Sequence, residues 1–136
     1  MKRAVLKALL KNGFISKSLR TAISKKPAEA FWYAMCSRRE SFPEGETAIA
    51  KDTVCAFWYA QDVLKGPFKL GEPAIAKDSE LSLLYAKKIL GKKRFPLGEP
   101  AIARNPSAIF YALNYLKLDS KEATKWANDT RSRRVY

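Results

Sequence analysis

Three glutamates, Glu46, Glu72 and Glu99, and two aspartates, Asp52 and Asp78, recur at fixed offsets along the chain. Paired carboxylates at a set separation suit acid–base hydrolysis, in which one group gives a proton and the other takes one. A catalytic pair is singular, however, and these pairs are periodic. Each stands where a helix is expected to begin. There a glutamate favours the positive end of the helix dipole and an aspartate accepts from an orphan N–H, so capping accounts for the set. The chain has no histidine, two cysteines (Cys36 and Cys55) and no glycine-rich phosphate loop. The reading is therefore a protein that is not an enzyme, with no cofactor, no metal ligands and no evident small-molecule substrate.

The element that carries these carboxylates is a repeat. Gly71-Glu72-Pro73-Ala74-Ile75-Ala76-Lys77-Asp78 returns as Gly98-Glu99-Pro100-Ala101-Ile102-Ala103-Arg104-Asn105, and precedes itself as Gly45-Glu46-Thr47-Ala48-Ile49-Ala50-Lys51-Asp52. A degenerate first copy holds Ala22-Ile23-Ser24-Lys25, with Leu19-Arg20 in place of Gly-Glu. Aromatic blocks keep the same period and end in Tyr33-Ala34, Tyr59-Ala60, Tyr85-Ala86 and Tyr111-Ala112. A repeat of this length signals stacked supersecondary units.

Each unit reads as a short helix followed by a longer one. Pro73 and Pro100 suit the first helical turn, which has no use for the missing N–H. Asp52, Asp78 and Asn105 read as N-caps of the long helix, with Pro106 opening its first turn. Tyr59, Tyr85 and Tyr111 fall on the inward face with the alanines that follow them, joined by Leu64, Leu90 and Leu116. Trp32, Trp58, Leu84 and Phe110 make a second apolar flank, as a helix between two neighbours requires. Gly66 and Gly91 are placed to cap the long helices. Phe42, Phe68 and Phe95 anchor the returning loops, and Pro43 and Pro96 stop the helices before them. The fold class expected is all-α, a small α-solenoid of four short-helix/long-helix repeats with N- and C-terminal capping helices. It forms a single domain over 1–136, with a basic cap at 1–18, repeats at 19–118 and a C-terminal helix with a basic tail at 119–136.

No apolar run approaches the roughly 20 residues of a membrane span, and two unmatched cysteines suit a reducing compartment. The expected location is cytoplasmic. Residues 1–12 form a basic amphipathic pattern. It reads either as the cap of the first repeat or as a targeting peptide, which is also basic and acid-free.

The net charge is +13 over 136 residues. Lys2, Arg3, Lys7, Lys11, Lys17, Arg20, Lys25 and Lys26 crowd the first 28 residues without one acid. The loops after the long helices add Arg38 and Arg39, then Lys65 and Lys69, then Lys92, Lys93 and Arg94. A positive pole continued along one edge matches a phosphate backbone. The candidate binding residues are the eight of the pole with Arg38, Arg39, Lys92, Lys93 and Arg94. The aromatics keep repeat register and read as core, leaving Tyr136, Trp126 and Phe14 as the candidates for stacking on bases.

Three elements of the unit, Glu72-Pro73-Ala74-Ile75-Ala76-Lys77-Asp78, Tyr85-Ala86 and Arg94-Phe95-Pro96-Leu97-Gly98-Glu99, resemble a short helical repeat found in bacteriophage and giant-virus proteins. The resemblance covers 19–116. The first unit departs from it at Arg20 and Lys26. The resemblance implies a small viral helical-repeat protein in the host cytoplasm and implies no activity. The expected function is a non-enzymatic binding protein that contacts nucleic acid. The alternative is an interaction module that engages an acidic host protein, inhibiting or redirecting an enzyme or defence factor. The expected partners are thus nucleic acid or an acidic host protein, and no membrane.

Overall fold

The computed structural model describes residues 21–36 and 41–132. Among these every regular element is helical and there is no strand. The chain divides into two compact units, Met1–Gly71 and Glu72–Tyr136.

In the first unit, α1 (Pro27–Cys36) starts on a proline and buries Ala30, Phe31 and Ala34. α2 (Pro43–Ile49) packs against it and buries Gly45, Ala48 and Ile49. α3 (Thr53–Trp58) follows, capped by Asp52, whose carboxylate accepts from the Cys55 N–H at 2.8 Å. At Tyr59 the helix widens to a π-helical stretch, Tyr59–Leu64, that buries Tyr59, Ala60 and Val63. A 3₁₀ turn, Lys69–Gly71, closes the unit.

The second unit repeats the plan. α4 (Glu72–Ile75) leads to α5 (Ser79–Leu84), which Asp78 caps through the Leu81 N–H at 2.8 Å. A π-helical stretch, Tyr85–Ile89, continues α5. A 3₁₀ turn, Pro96–Gly98, leads to α6 (Glu99–Ile102), then α7 (Ala108–Asn114) and α8 (Ser120–Ser132). α8 packs on α7 and α6 through Ala123, Ala127 and Thr130, and Arg131 Nε donates to the Ala103 carbonyl at 3.0 Å.

The short and long helices meet where side chains are smallest. A Cβ on Gly45 would stand 2.6 Å from the Phe42 ring and 2.8 Å from the Ala30 Cβ. Gly71 repeats this against Phe68 and Ala56, and Gly98 against Phe95 and Ser82, at the same distances. A methyl group cannot enter a contact that tight without moving backbone. Ile23, Ile49, Ile75 and Ile102 share one register, and all four are buried.

Four sequence expectations need correction. Pro43 and Pro96 do not stop helices: Pro43 opens α2 and Pro96 opens a 3₁₀ turn, because a first-turn proline forfeits no hydrogen bond. Trp58 and Phe110 are 42% and 53% exposed, so they form no buried flank. At about 100° per residue, Ala56, Phe57, Tyr59 and Ala60 share one arc, and Trp58 lies opposite it. Leu64, Leu90 and Leu116 are only half-buried, each standing at or just past the end of its long helix. The second long helix ends on Lys65 (φ 51°), not Gly66. Gly66 instead donates its N–H to the Ala60 carbonyl at 3.1 Å, a closure that puts the residue before it in the left-handed region. Asn105 also differs in detail. Its Oδ1 accepts from the Ser107 N–H at 2.9 Å, and the helix proper begins at Ala108.

Candidate functional site

The periodic glutamates hold the tyrosines. Tyr59 donates its hydroxyl to Glu46 Oε2 at 2.5 Å and accepts the Phe42 N–H at 2.9 Å. Tyr111 repeats both bonds, to Glu99 Oε2 at 2.8 Å and from the Phe95 N–H at 2.8 Å. Tyr85 donates to Glu72 Oε2 at 2.6 Å. The three rings are fully buried. A phenol is placed here to satisfy one buried N–H and one carboxylate together. Burial and then the Glu46 carboxylate hold the Tyr59 hydroxyl above its ordinary value. Burial leads again at Tyr111, with Glu99 adding to it. So the glutamates, each in the first turn of its short helix as expected, also serve as hydroxyl acceptors, while Asp52 and Asp78 are the caps that the sequence suggested. The offset from each glutamate to its tyrosine, twelve or thirteen residues, was visible in the sequence, but nothing local announced the pairing.

Glu99 differs from the other two. It is 6% exposed, and Arg94 grips it with Nε to Oε2 at 2.7 Å and Nη2 to Oε1 at 3.0 Å. The carboxylate in turn holds the Arg94 guanidinium above its ordinary value. Arg94 therefore spends its fork on the protein's own carboxylate, unlike the free loop cation expected of it.

Lys2, Arg3, Lys7, Lys11, Lys17, Arg20, Arg38 and Arg39 lie outside the described residues. Lys25 and Lys26 are exposed at the start of the first unit. Lys65 and Lys69 are exposed in the first unit, and Lys92 and Lys93 in the second. Among the described non-glycine residues, those with positive φ are Lys65 (51°), Lys92 (63°) and Lys117 (60°). All three are exposed lysines that follow a long helix. Lys65 and Lys117 share one register, which Gly91 (φ 71°) fills in the third repeat.

A second set of cations follows the repeat, and only Lys25 of it stood among the candidate binding residues. Lys25, Lys51, Lys77 and Arg104 occupy the seventh position of the octapeptide, one per repeat, and all are exposed. The signal was in the repeat itself. Around this position the isoleucines are buried and the glutamates bonded, so the cation is the member that packing does not require.

Two grooves accompany these residues. In the first unit a cavity of about 420 Å³ lies between α1 and α3, lined by Trp32, Met35, Val54, Cys55 and Trp58 with Asp62. Burial, helped by Asp52, pushes the Cys55 thiol up to about 12. In the second unit a cavity of about 400 Å³ separates the short helices α4 and α6, with Lys77 and Arg104 in its lining. Of the stacking candidates, Tyr136 and Phe14 lie outside the described residues. Trp126 is half-buried against Tyr111, ring centroids 5.5 Å apart. Among the described residues no helix is long and apolar enough to cross a membrane, and no cluster of His, Cys, Asp and Glu could hold a metal ion.

Comparisons of the chain with protein-family profiles, with curated proteins and with solved structures found no match.

Proposed function

We propose that this chain is a non-enzymatic, basic helical-repeat binding protein whose partner is the phosphate backbone of nucleic acid. The repeats stack as a small solenoid of the viral kind that the octapeptide resembles, at work in the host cytoplasm. The observation that carries the reading is the set of left-handed lysines, Lys65, Lys92 and Lys117. A side chain in that region costs roughly 1 kcal/mol relative to glycine. Gly91 fills the same register in the third repeat, so the fold itself does not ask for lysine. A cation kept where glycine is cheaper points to a use for the charge, beyond its modest complement to a helix C-terminus. Lys25 and Lys26 are further exposed cations, and the eight-cation pole of the sequence adds to the positive charge that phosphate contacts need.

The test is a salt-titrated binding assay on short duplex DNA and RNA. The reading expects binding at low salt that falls linearly on a log–log plot, losing about 0.9 of slope for each duplex DNA phosphate contact removed. Replacing Lys65, Lys92 and Lys117 together with glycine should raise the melting temperature and weaken binding at once. Replacing Lys7, Lys11, Lys25 and Lys26 with glutamine should weaken it further. A parent protein that binds neither nucleic acid at low salt sinks the reading. So does a triple-glycine variant that binds as the parent does.

The groove between α1 and α3 favours a second reading, an interaction module for a host protein. Trp58 and Val54 are 42% and 53% exposed beside Trp32 and Met35, and exposed tryptophans of this kind serve as anchors in protein interfaces. Pull-down from host lysate, with and without nuclease, separates the two readings.

A further inference from the structure

The seventh position of the octapeptide and the groove beside it have a use that the phosphate reading does not absorb. In the second unit, α4 and α6 are equivalent short helices. They turn Ala74, Ile75, Ile102 and Ala103 into the core. Their other faces line a cavity of about 400 Å³ whose floor is Pro73, Ala76, Leu97, Pro100 and Ala101. Leu97 is 56% exposed, an apolar side chain held at the surface without a partner in the core. The only charged side chains in the lining are Lys77 and Arg104, both exposed, and no carboxylate is among them. Among the described residues neither cation has an ion-pair or side-chain hydrogen-bond partner. α4 and α6 have only four residues each, too few for a dipole to account for the cations.

We infer that this groove is a docking site for an acidic amphipathic protein segment, which lays apolar side chains on the Pro73–Leu97–Pro100 floor and sets carboxylates against Lys77 and Arg104. Charge complementarity selects this occupant. A second copy of the chain is disfavoured, since each carries a net charge of +13 and the groove offers no acid to meet the other's cations. Nucleic acid fits poorly as well, because the floor beside the two cations is apolar and a phosphate backbone gains nothing by covering it. The geometry suits a helix. Lys77 and Arg104 follow α4 and α6 at equivalent positions and border the same apolar floor, so acids spaced along one face of a helical segment can meet both. Two such cations flanking an apolar strip is the recognition pattern of a helix laid in a groove.

The test uses the full chain and a fluorescein-labelled synthetic peptide of about 14 residues, roughly 21 Å as a helix. It carries leucines on one face and a glutamate about two turns from another. Fluorescence anisotropy should report saturable binding. A peptide with every leucine replaced by serine, at the same charge, should bind at least about tenfold more weakly, a loss of roughly 1.4 kcal/mol. The double variant Lys77→Gln, Arg104→Gln should lose binding by a similar factor or more, and Leu97→Ser by several-fold. Circular dichroism and the melting temperature should stay at the parent's values, because these side chains lie on the surface. Equal binding of the serine peptide would mean bulk charge attraction and overturn the groove. Unchanged binding by the double variant, or no binding by the parent, overturns it as well. A duplex oligonucleotide run beside the peptide keeps the two proposals apart. Its binding should survive the double variant and fall in the Lys65, Lys92, Lys117 triple-glycine variant. If it fell instead with Lys77 and Arg104, the groove would belong to nucleic acid.

Discussion

Tyr59 and Tyr111 perform the same task in different electrostatic surroundings. Each bridges a phenylalanine N–H and a glutamate, yet Glu46 is half-buried and Glu99 is nearly sealed. The sealed carboxylate is the one that has been given a cation, Arg94, in two-pronged contact. Ser41 occupies the corresponding place before Phe42. The difference shows how a repeated part is retuned. The hydroxyl bridge is retained, and a counter-charge is added where burial would otherwise leave an ion too deep.

The comparison is broken or sharpened first at the hydroxyls. Tyr111→Phe leaves the Phe95 N–H unpaired and strips a donor from a buried carboxylate. It should cost about 2–3 kcal/mol in urea denaturation. Tyr59→Phe should cost about 1–2 kcal/mol, because Glu46 still reaches water. Equal losses would mean that the burial of Glu99 is immaterial. Next comes the cation. Arg94→Gln should destabilise by about 1 kcal/mol, discounted because the guanidinium is 61% exposed, and salt should shrink the loss. Ser41→Arg should return less than half of that beside Glu46. A gain as large as the Arg94 loss would show that exposure does not set the need for a counter-charge.

A smaller effect lies at the helix ends. Lys65→Gly should stabilise by roughly 0.5–1 kcal/mol, since glycine takes φ 51° without strain. Gly91→Ala should destabilise by a similar amount. The least effect at neutral pH is the alkaline limb of stability. Tyr59, Tyr111 and Cys55 all hold their protons more tightly folded than unfolded. Their contribution is complete below the unfolded values, about 8.5 for a thiol and 10 for a phenol, and is lost as pH rises through the folded ones. For Cys55 that window ends at about 12. Melting temperatures followed upward from pH 8 should fall, and Cys55→Ser should remove the earliest part of the fall. The same suppressed thiolate should make Cys55 slow to alkylate with iodoacetamide near pH 8.

The helical periods, the Asp52 and Asp78 caps, the buried tyrosines and the anchoring Phe42, Phe68 and Phe95 were all legible in the chain, because each is a local pattern. What escaped depends on approach between segments. Nothing near Gly98 announces that Ser82 and Phe95 leave no room for a methyl group. Nothing beside Glu72 names Tyr85 as its partner. The shift to π-helical hydrogen bonding at Tyr59 and Tyr85 has no composition of its own. The candidate site was half legible. The loop lysines stand out by charge, whereas Lys51, Lys77 and Arg104 are masked by the motif that contains them.

The tyrosine bridge also constrains inheritance. Tyr59 reaches back to Phe42 and Glu46, and Tyr111 to Phe95 and Glu99, so each ring completes a socket written earlier in the gene. Duplicating one whole period adds a socket and a ring together, and every bridge still closes. Copying part of a period leaves a phenol with no acceptor, or a carboxylate with no donor, inside the core. Such a gene is free to lengthen or shorten only in whole steps.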